Sequence, residues 1–234
     1  PKNTARVRIF NRTSEMPFAG HPNVGTAFVL AASELVADEV LRFEVPAGLI
    51  TVRLTRDSAS LLIVAEIDAP QPLTVGDTLP ADAIAACVGL SEDDIVVRSH
   101  QPCSASVGIS FFYVEVTPDG LTRALPSLAA FQNLVSKSGQ CPERLSIHCY
   151  ARRTQPNLLH ARMFAPLSGT WEDPATGSAN ATLAAYLLSL SDNTEAKFEI
   201  TQGVEMGRPS QLVATAARTQ DGIRATVAGS CVLV

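Results

Sequence analysis

Two stretches decide the fold: Pro17-Phe18-Ala19-Gly20-His21-Pro22-Asn23-Val24-Gly25-Thr26-Ala27 and Glu172-Asp173-Pro174-Ala175-Thr176-Gly177-Ser178-Ala179. They share the pattern Pro-x-x-Gly-Thr/Ser-Ala, and in each an apolar helix opens after a strand. A repeat at equivalent places points to duplication of one supersecondary unit. Small and apolar residues dominate Pro22 to Val36 and Pro174 to Leu190 without strict alternation, as in largely buried helices.

Outward from these helices the chain reads as short strands. In the first half they are expected at Val7–Phe10, Leu41–Val45, Leu49–Leu54 and Ser60–Ile67. A helix over Ala81–Val88 ends at Gly89, and Ser91-Glu92-Asp93-Asp94 supplies a capping turn before a strand at Ile95–Arg98. The second half repeats the plan. Strands are expected at Ile109–Val116, Leu145–Ala151, Leu159–Phe164, Phe198–Thr201, Gln211–Arg218 and Ile223–Val227, with a helix at Leu128–Lys137. Short strands around one apolar helix per half give an α+β fold of two similar lobes, 1–93 and 94–234, with a cleft between them.

Composition removes several function classes. The 234 residues are 46% hydrophobic, enough to bury a large core without metals or disulfides. A net charge of -5 with scattered arginines offers no basic stripe, so a nucleic-acid partner is not expected. The apolar runs near Thr26–Ser33 and Ala181–Leu190 fall short of the roughly 20 residues that span a bilayer, so no membrane partner is expected. Cys87, Cys103, Cys141, Cys149 and Cys231 are odd in number and lack any C-x-x-C pair, which fits a reducing cytoplasm and no metal site. Signatures of hydrolase elbows, zinc proteases and nucleotide loops are missing.

The candidate chemistry sits at the two helix starts. A proline at the first helical position leaves N-terminal amides without intrahelical partners, and these can hold a carboxylate. If the lobes face each other, both starts flank one cleft, with His21 and Asp173 at corresponding places. Each residue also has a structural reading. Asp173 before Pro174 reads as an N-cap, and capping and catalysis can coexist. Ser178 and Thr26, one turn into their helices, either back-bond to preceding carbonyls or touch a ligand. Gly20 permits a tight approach and can present its amide. Arg208 either clamps a carboxylate or fixes the turn between two strands. His100, His148 and His160 lack metal spacing and read as structural.

Glu15-Met16-Pro17-Phe18-Ala19-Gly20-His21-Pro22 after the strand Arg8-Ile9-Phe10, then Arg162-Met163-Phe164-Ala165-Pro166 with Glu172 to Ala179, then Gln202-Gly203 with Gly207-Arg208-Pro209-Ser210, resemble in order three signatures of the PhzF-like isomerase and epimerase family of phenazine biosynthesis. The resemblance implies the diaminopimelate-epimerase-like fold, each lobe a curved, mostly antiparallel sheet wrapped around a central helix. It implies that His21 and Asp173 are the polar active-site pair and that Gly20 and Ser178 contact the substrate. It also implies proton movement on a small amino- or hydroxy-substituted carboxylic acid without metal or nucleotide cofactor, in a homodimer. The family's main base is a glutamate in a Ser-Glu-Thr stretch ahead of the first signature. This sequence opens beyond that point, and Glu15 belongs to the motif that follows.

Related racemases use cysteines at both helix starts; neither start carries one here, which leaves carboxylate and imidazole chemistry. Repeat logic leaves the first lobe incomplete by roughly 58 residues, so it is expected to look open and to be catalytically deficient as it stands. The alternative to an isomerase is a non-catalytic protein that binds a small carboxylate or a partner chain in the same cleft.

Overall fold

The computed structural model describes residues 3–11, 14–33, 35–58, 62–137 and 144–231. Ser60, where the fourth strand of the first half was expected to begin, and Cys141 lie outside them. The chain opens with β1 (Ala5–Arg6) and a small ribbon of β2 (Ile9–Phe10) and β3 (Glu15–Met16), then enters α1 (Gly20–Ala32). An antiparallel meander follows: β4 (Val40–Val45), β5 (Gly48–Arg56) and β6 (Leu62–Asp68). Next come β7 (Thr74–Thr78), α2 (Ala81–Cys87), β8 (Cys103–Ser106), β9 (Ser110–Glu115), α3 (Pro118–Arg123) and α4 (Leu128–Lys137). The remainder is β10 (Ile147–Arg152), β11 (Leu158–Ala165), β12 (Thr170–Asp173), α5 (Gly177–Ser189), β13 (Glu195–Gln202), β14 (Ser210–Thr219) and β15 (Gly222–Gly229).

One sheet runs through both halves in the order β1-β4-β5-β6-β15-β14-β13-β11-β10-β9-β8-β7, with β12 alongside β11. Most pairs are antiparallel; β1·β4, β9·β10 and β11·β13 are parallel. α5 packs on β13, β14 and β15 and also on β8 and β9, so the sheet must curl around it. α1 lies over β5, β6 and β15 and touches α5.

The residues explain this layering. In β4, β5 and β6 apolar side chains alternate, Leu41, Phe43, Val45, Ile50, Val52, Leu54, Ala65 and Ile67 facing the core. α5 is buried from Gly177 through Leu188, and its many alanines let strands approach on every side. β9 is covered on both faces: Phe111 and Tyr113 join the core around α5, while Phe112 and Val114 join a second core under α2, α3 and α4. β7 pairs with β8 and α2 packs against α4, so residues 74–87 sit with the C-terminal elements.

Several details differ from the sequence reading, among them the helix bounds and one strand. α1 begins at Gly20, which makes Pro22 its third residue; a missing amide hydrogen is tolerated anywhere in the first turn, where none has an intrahelical acceptor. α1 also ends at Ala32 rather than Val36, because Leu35 N–H turns back to Leu30 O at 3.1 Å. α5 begins at Gly177, three residues after Pro174. The strand expected at Ile95–Arg98 shrinks to a single bridge between Ile95 and Val116, the Ser91–Asp94 capping box having placed Ile95 at the end of a 3₁₀ turn.

Candidate active site

The starts of α1 and α5 meet. A Cβ built on Gly20 would lie 2.6 Å from Gly177 Cα and 2.9 Å from Ser178 N, so a side chain at position 20 would occupy space already filled by backbone. Neither start is closed by a cap side chain of its own: Ala19 cannot supply one, and the Thr176 hydroxyl turns elsewhere. The first-turn amides therefore carry the positive ends of two helices to one place.

His21, Asp173, Gly20 and Gly177 line both of the cavities that flank this meeting point. The smaller cavity, about 430 Å³, is further bounded by Phe10, Ser110, Arg144 and Ser178. The larger, about 820 Å³, is bounded by Arg208, Pro209, Val227 and Cys231. The structure thus brings together all four residues expected at the site, and Ser178 belongs to the smaller cavity.

His21, in the first turn of α1, reaches across to the segment just before α5: its Nδ1 lies 2.8 Å from Ala175 O. A carbonyl only accepts, so Nδ1 carries the hydrogen and Nε2 is the proton-accepting nitrogen of the neutral ring. Asp173 ends β12, and its Oδ2 accepts a 2.6 Å hydrogen bond from Thr176 Oγ1. Asp173 is therefore not the N-cap of α5. That position falls to Thr176, because the helix starts later than Pro174 suggested. The Thr176 amide is instead taken by Gln202 Oε1 at 3.2 Å, from the end of β13. Ser178 is buried at the second position of α5.

Other candidates separate cleanly. Thr26 Oγ1 bonds back to Pro22 O at 2.7 Å, the structural option of the two it had. Glu15 is held by Arg8 through bonds of 3.0 and 2.9 Å, and this hydrogen bonding holds its carboxyl below the usual range, which makes it a weaker base. Arg208 lies on an exposed turn, its amide bonded to Gly203 O, and lines the larger cavity. His100 bonds Gln101 O and Tyr150, His148 bonds Asn180, and His160 sits 3.3 Å from Glu205. Burial pushes the Cys149 thiol up to about 12 and raises Cys103 and Cys231, so these three are poor thiolates. Among the described residues no three His, Cys, Asp or Glu side chains gather as metal ligands, and no helix is long and apolar enough to cross a membrane.

Arg144, which contacts Ser14 Oγ and lines the smaller cavity, and Thr176 were not foreseen. Arg144 comes to the cavity only through the placement of the segment before β10, which no local pattern announces. Thr176 had a signal, standing four residues before Asn180 as one of few polar side chains in an apolar stretch.

Residues 1–234 match the family model described as phenazine biosynthesis-like protein, PhzC-PhzF. A Mesorhizobium japonicum protein described as an isomerase is 33% identical over 225 residues, 91% of this chain and 72% of that one. The trans-2,3-dihydro-3-hydroxyanthranilate isomerase of Pseudomonas fluorescens is 33% identical over 240 residues, 98% of this chain and 78% of that one. The crystal structure of a PhzF-family phenazine biosynthesis protein from Bacillus anthracis superposes with a TM-score of 0.81 at 22% identity, covering 96% of this chain and 77% of that one.

Proposed function

Because the chain belongs to the phenazine biosynthesis-like PhzC-PhzF family of isomerases, we propose that it moves a proton on a small amino- or hydroxy-substituted carboxylic acid held at the junction of α1 and α5. The observation that carries this reading is that junction itself: two helix starts in contact, with His21 and Asp173 beside them lining a cavity of about 430 Å³. That volume suits a small ligand.

In the proposed mechanism the substrate carboxylate lies against the first-turn amides of α1 and α5, where fixed donors and the helix dipoles favour negative charge. The same donors stabilise charge that develops next to the carboxylate as a C–H proton leaves. Asp173 and the His21 imidazole are the groups able to take and return that proton. His21 is oriented for this by donating Nδ1–H to Ala175 O, which leaves Nε2 with a lone pair. Ser178 and Gly20 border the carboxylate, and Arg144 adds a cation to the wall of the cavity.

The test is incubation of the protein in D₂O with trans-2,3-dihydro-3-hydroxyanthranilate, followed by NMR for isomerisation and for deuterium gained at carbon. Without the glutamate that the resemblance implies, wild type should exchange and isomerise slowly through Asp173 and His21, and Asp173→Asn should do so about 10²- to 10⁴-fold more slowly still at an unchanged melting temperature. Equal rates for the two would overturn the role of Asp173. No exchange by wild type on this acid or on a panel of small amino and hydroxy acids would overturn the isomerase reading.

A further inference from the structure

We infer that Gln202 is a positioning residue for this reaction, fixing the Asp173 carboxylate through the Thr176 hydroxyl at the end of a buried polar chain that runs back to His148. The inference rests on the proposed role of Asp173 in proton transfer.

Donor and acceptor identities along the chain follow from one fixed point. Asp173 O is a carbonyl and can only accept, so the Gln202 atom 2.7 Å away is Nε2. Gln202 Oε1 then faces the Thr176 amide at 3.2 Å and Asn180 Nδ2 at 2.8 Å, both donors. Asn180 Nδ2 also donates to Thr176 O at 3.1 Å, which leaves Oδ1 toward His148 Nε2 at 3.1 Å. His148 Nε2 must therefore carry its hydrogen. Its Nδ1 is bare and has no partner among the described residues, and the buried ring is neutral. At the other end, Gln202 Nε2 donates its second hydrogen to Thr176 Oγ1 at 2.9 Å. The threonine hydroxyl, having accepted there, has its own hydrogen committed to Asp173 Oδ2.

Reversing the Gln202 amide would set oxygen against Asp173 O and nitrogen against the Thr176 N–H, two repulsive contacts at once. The chain thus has one direction, and Gln202, fully buried, uses all four of its hydrogen-bonding positions. It leaves Asp173 as an acceptor pinned through Oδ2, with Oδ1 as the oxygen that meets a substrate proton. The rival role is purely structural, since Gln202 also closes the α5 start through the Thr176 amide.

Four variants separate these roles: Thr176→Val, Thr176→Ser, Gln202→Met and the double Thr176→Val/Gln202→Met, assayed on trans-2,3-dihydro-3-hydroxyanthranilate beside Asp173→Asn. Misplacement of a reacting group by about 1 Å costs roughly 10²-fold, so Thr176→Val and Gln202→Met should each lower kcat on that order with KM within about twofold. The double variant should fall no further than either single one, because both cut the same link, and Thr176→Ser should restore kcat to within about threefold. Intact kcat per folded molecule in Thr176→Val, beside a crippled Asp173→Asn, would overturn the inference while leaving the functional reading standing. Equal turnover by wild type and Asp173→Asn would overturn the reading beneath it. If wild type does not turn over this acid, ¹⁵N-histidine NMR at pH 7 decides the chain's direction: His148 should appear as the neutral Nε2–H tautomer, and an Nδ1–H or charged ring would overturn the inference.

Discussion

Gly20 shows how one missing side chain shapes the site. Its neighbour across the junction is Gly177: a Cβ on Gly20 would lie 2.6 Å from Gly177 Cα, and a Cβ on Gly177 would lie 3.0 Å from Gly20 Cα and 3.3 Å from Val227 Cγ1. Neither glycine has a positive φ, so the requirement here is space rather than backbone freedom. Gly20→Ala should therefore push the two helix starts apart. We expect a loss of about 1–3 kcal/mol in urea unfolding, as for other overpacked contacts, together with weaker binding of a small carboxylate probe in calorimetry. Unchanged stability and affinity would mean that the junction yields easily. Gly20, His21, Asp173 and Ser178 were legible in the sequence because they belong to motifs that lie contiguous in the chain. Gln202 acts from the end of β13 and Arg144 from the segment before β10, and which side chain reaches Asp173 or the cavity is settled by tertiary placement rather than by local pattern.

Helices and strands were legible to the extent that they bury a face. α4 and the meander β4–β6 follow their apolar patterns closely. β7 was missed because all five of its residues are exposed on an edge, and β8 because Cys103-Ser104-Ala105-Ser106 offers only small side chains, whose alternation has little hydrophobic contrast. α3 escaped notice since six residues with Gly120 inside make a poor helix on propensity, and tertiary contacts hold it. Much of that hold comes from Arg162 in β11, whose Nη1 donates to Leu121 O at 3.0 Å and Ala124 O at 2.8 Å while Nε and Nη2 bind Glu172 at 2.8 Å. Arg162→Met leaves a largely buried carboxylate and several carbonyls without their donor and should cost about 3–5 kcal/mol at pH 7, measured by chemical unfolding. β10 carries a second liability in His148. Burial lowers its pKa from 6.5 to about 4, so below 6.5 the unfolded chain binds a proton that the folded chain refuses. Its contribution is thus intact above pH 6.5 and is lost as pH falls toward 4, at about 1.4 kcal/mol per unit. His148→Gln should flatten the stability–pH curve in that window, and parallel curves for the two proteins would show that the ring is not a buried neutral histidine.

At the scale of the whole molecule, the repeat suggests two lobes, 1–93 and 94–234, and the sheet bears on whether these fold apart. β6 pairs with β15 in the register Ile67↔Val227, so the meander of the first half is hydrogen-bonded to the last strand of the chain. β7 and α2 lie with the C-terminal elements, and at the junction of α1 and α5 the halves touch through their helix starts. The core around α5 is continuous with the one under α1, with Phe43, Ile67, Tyr113 and Val227 in one cluster. A structure joined by strand pairing, helix contact and shared core gives little opportunity for one half to melt while the other stays folded. Calorimetry should then show one transition whose van't Hoff and calorimetric enthalpies agree. Val227→Ala, placed at the seam, removes two methyl groups from between the halves and should cost about 1–3 kcal/mol. The decisive feature is how it does so: the single peak should move to lower temperature as a unit. A variant trace that splits in two, or one in which far-UV circular dichroism and Trp171 fluorescence lose coincidence, would show that the seam holds together two units able to fold separately.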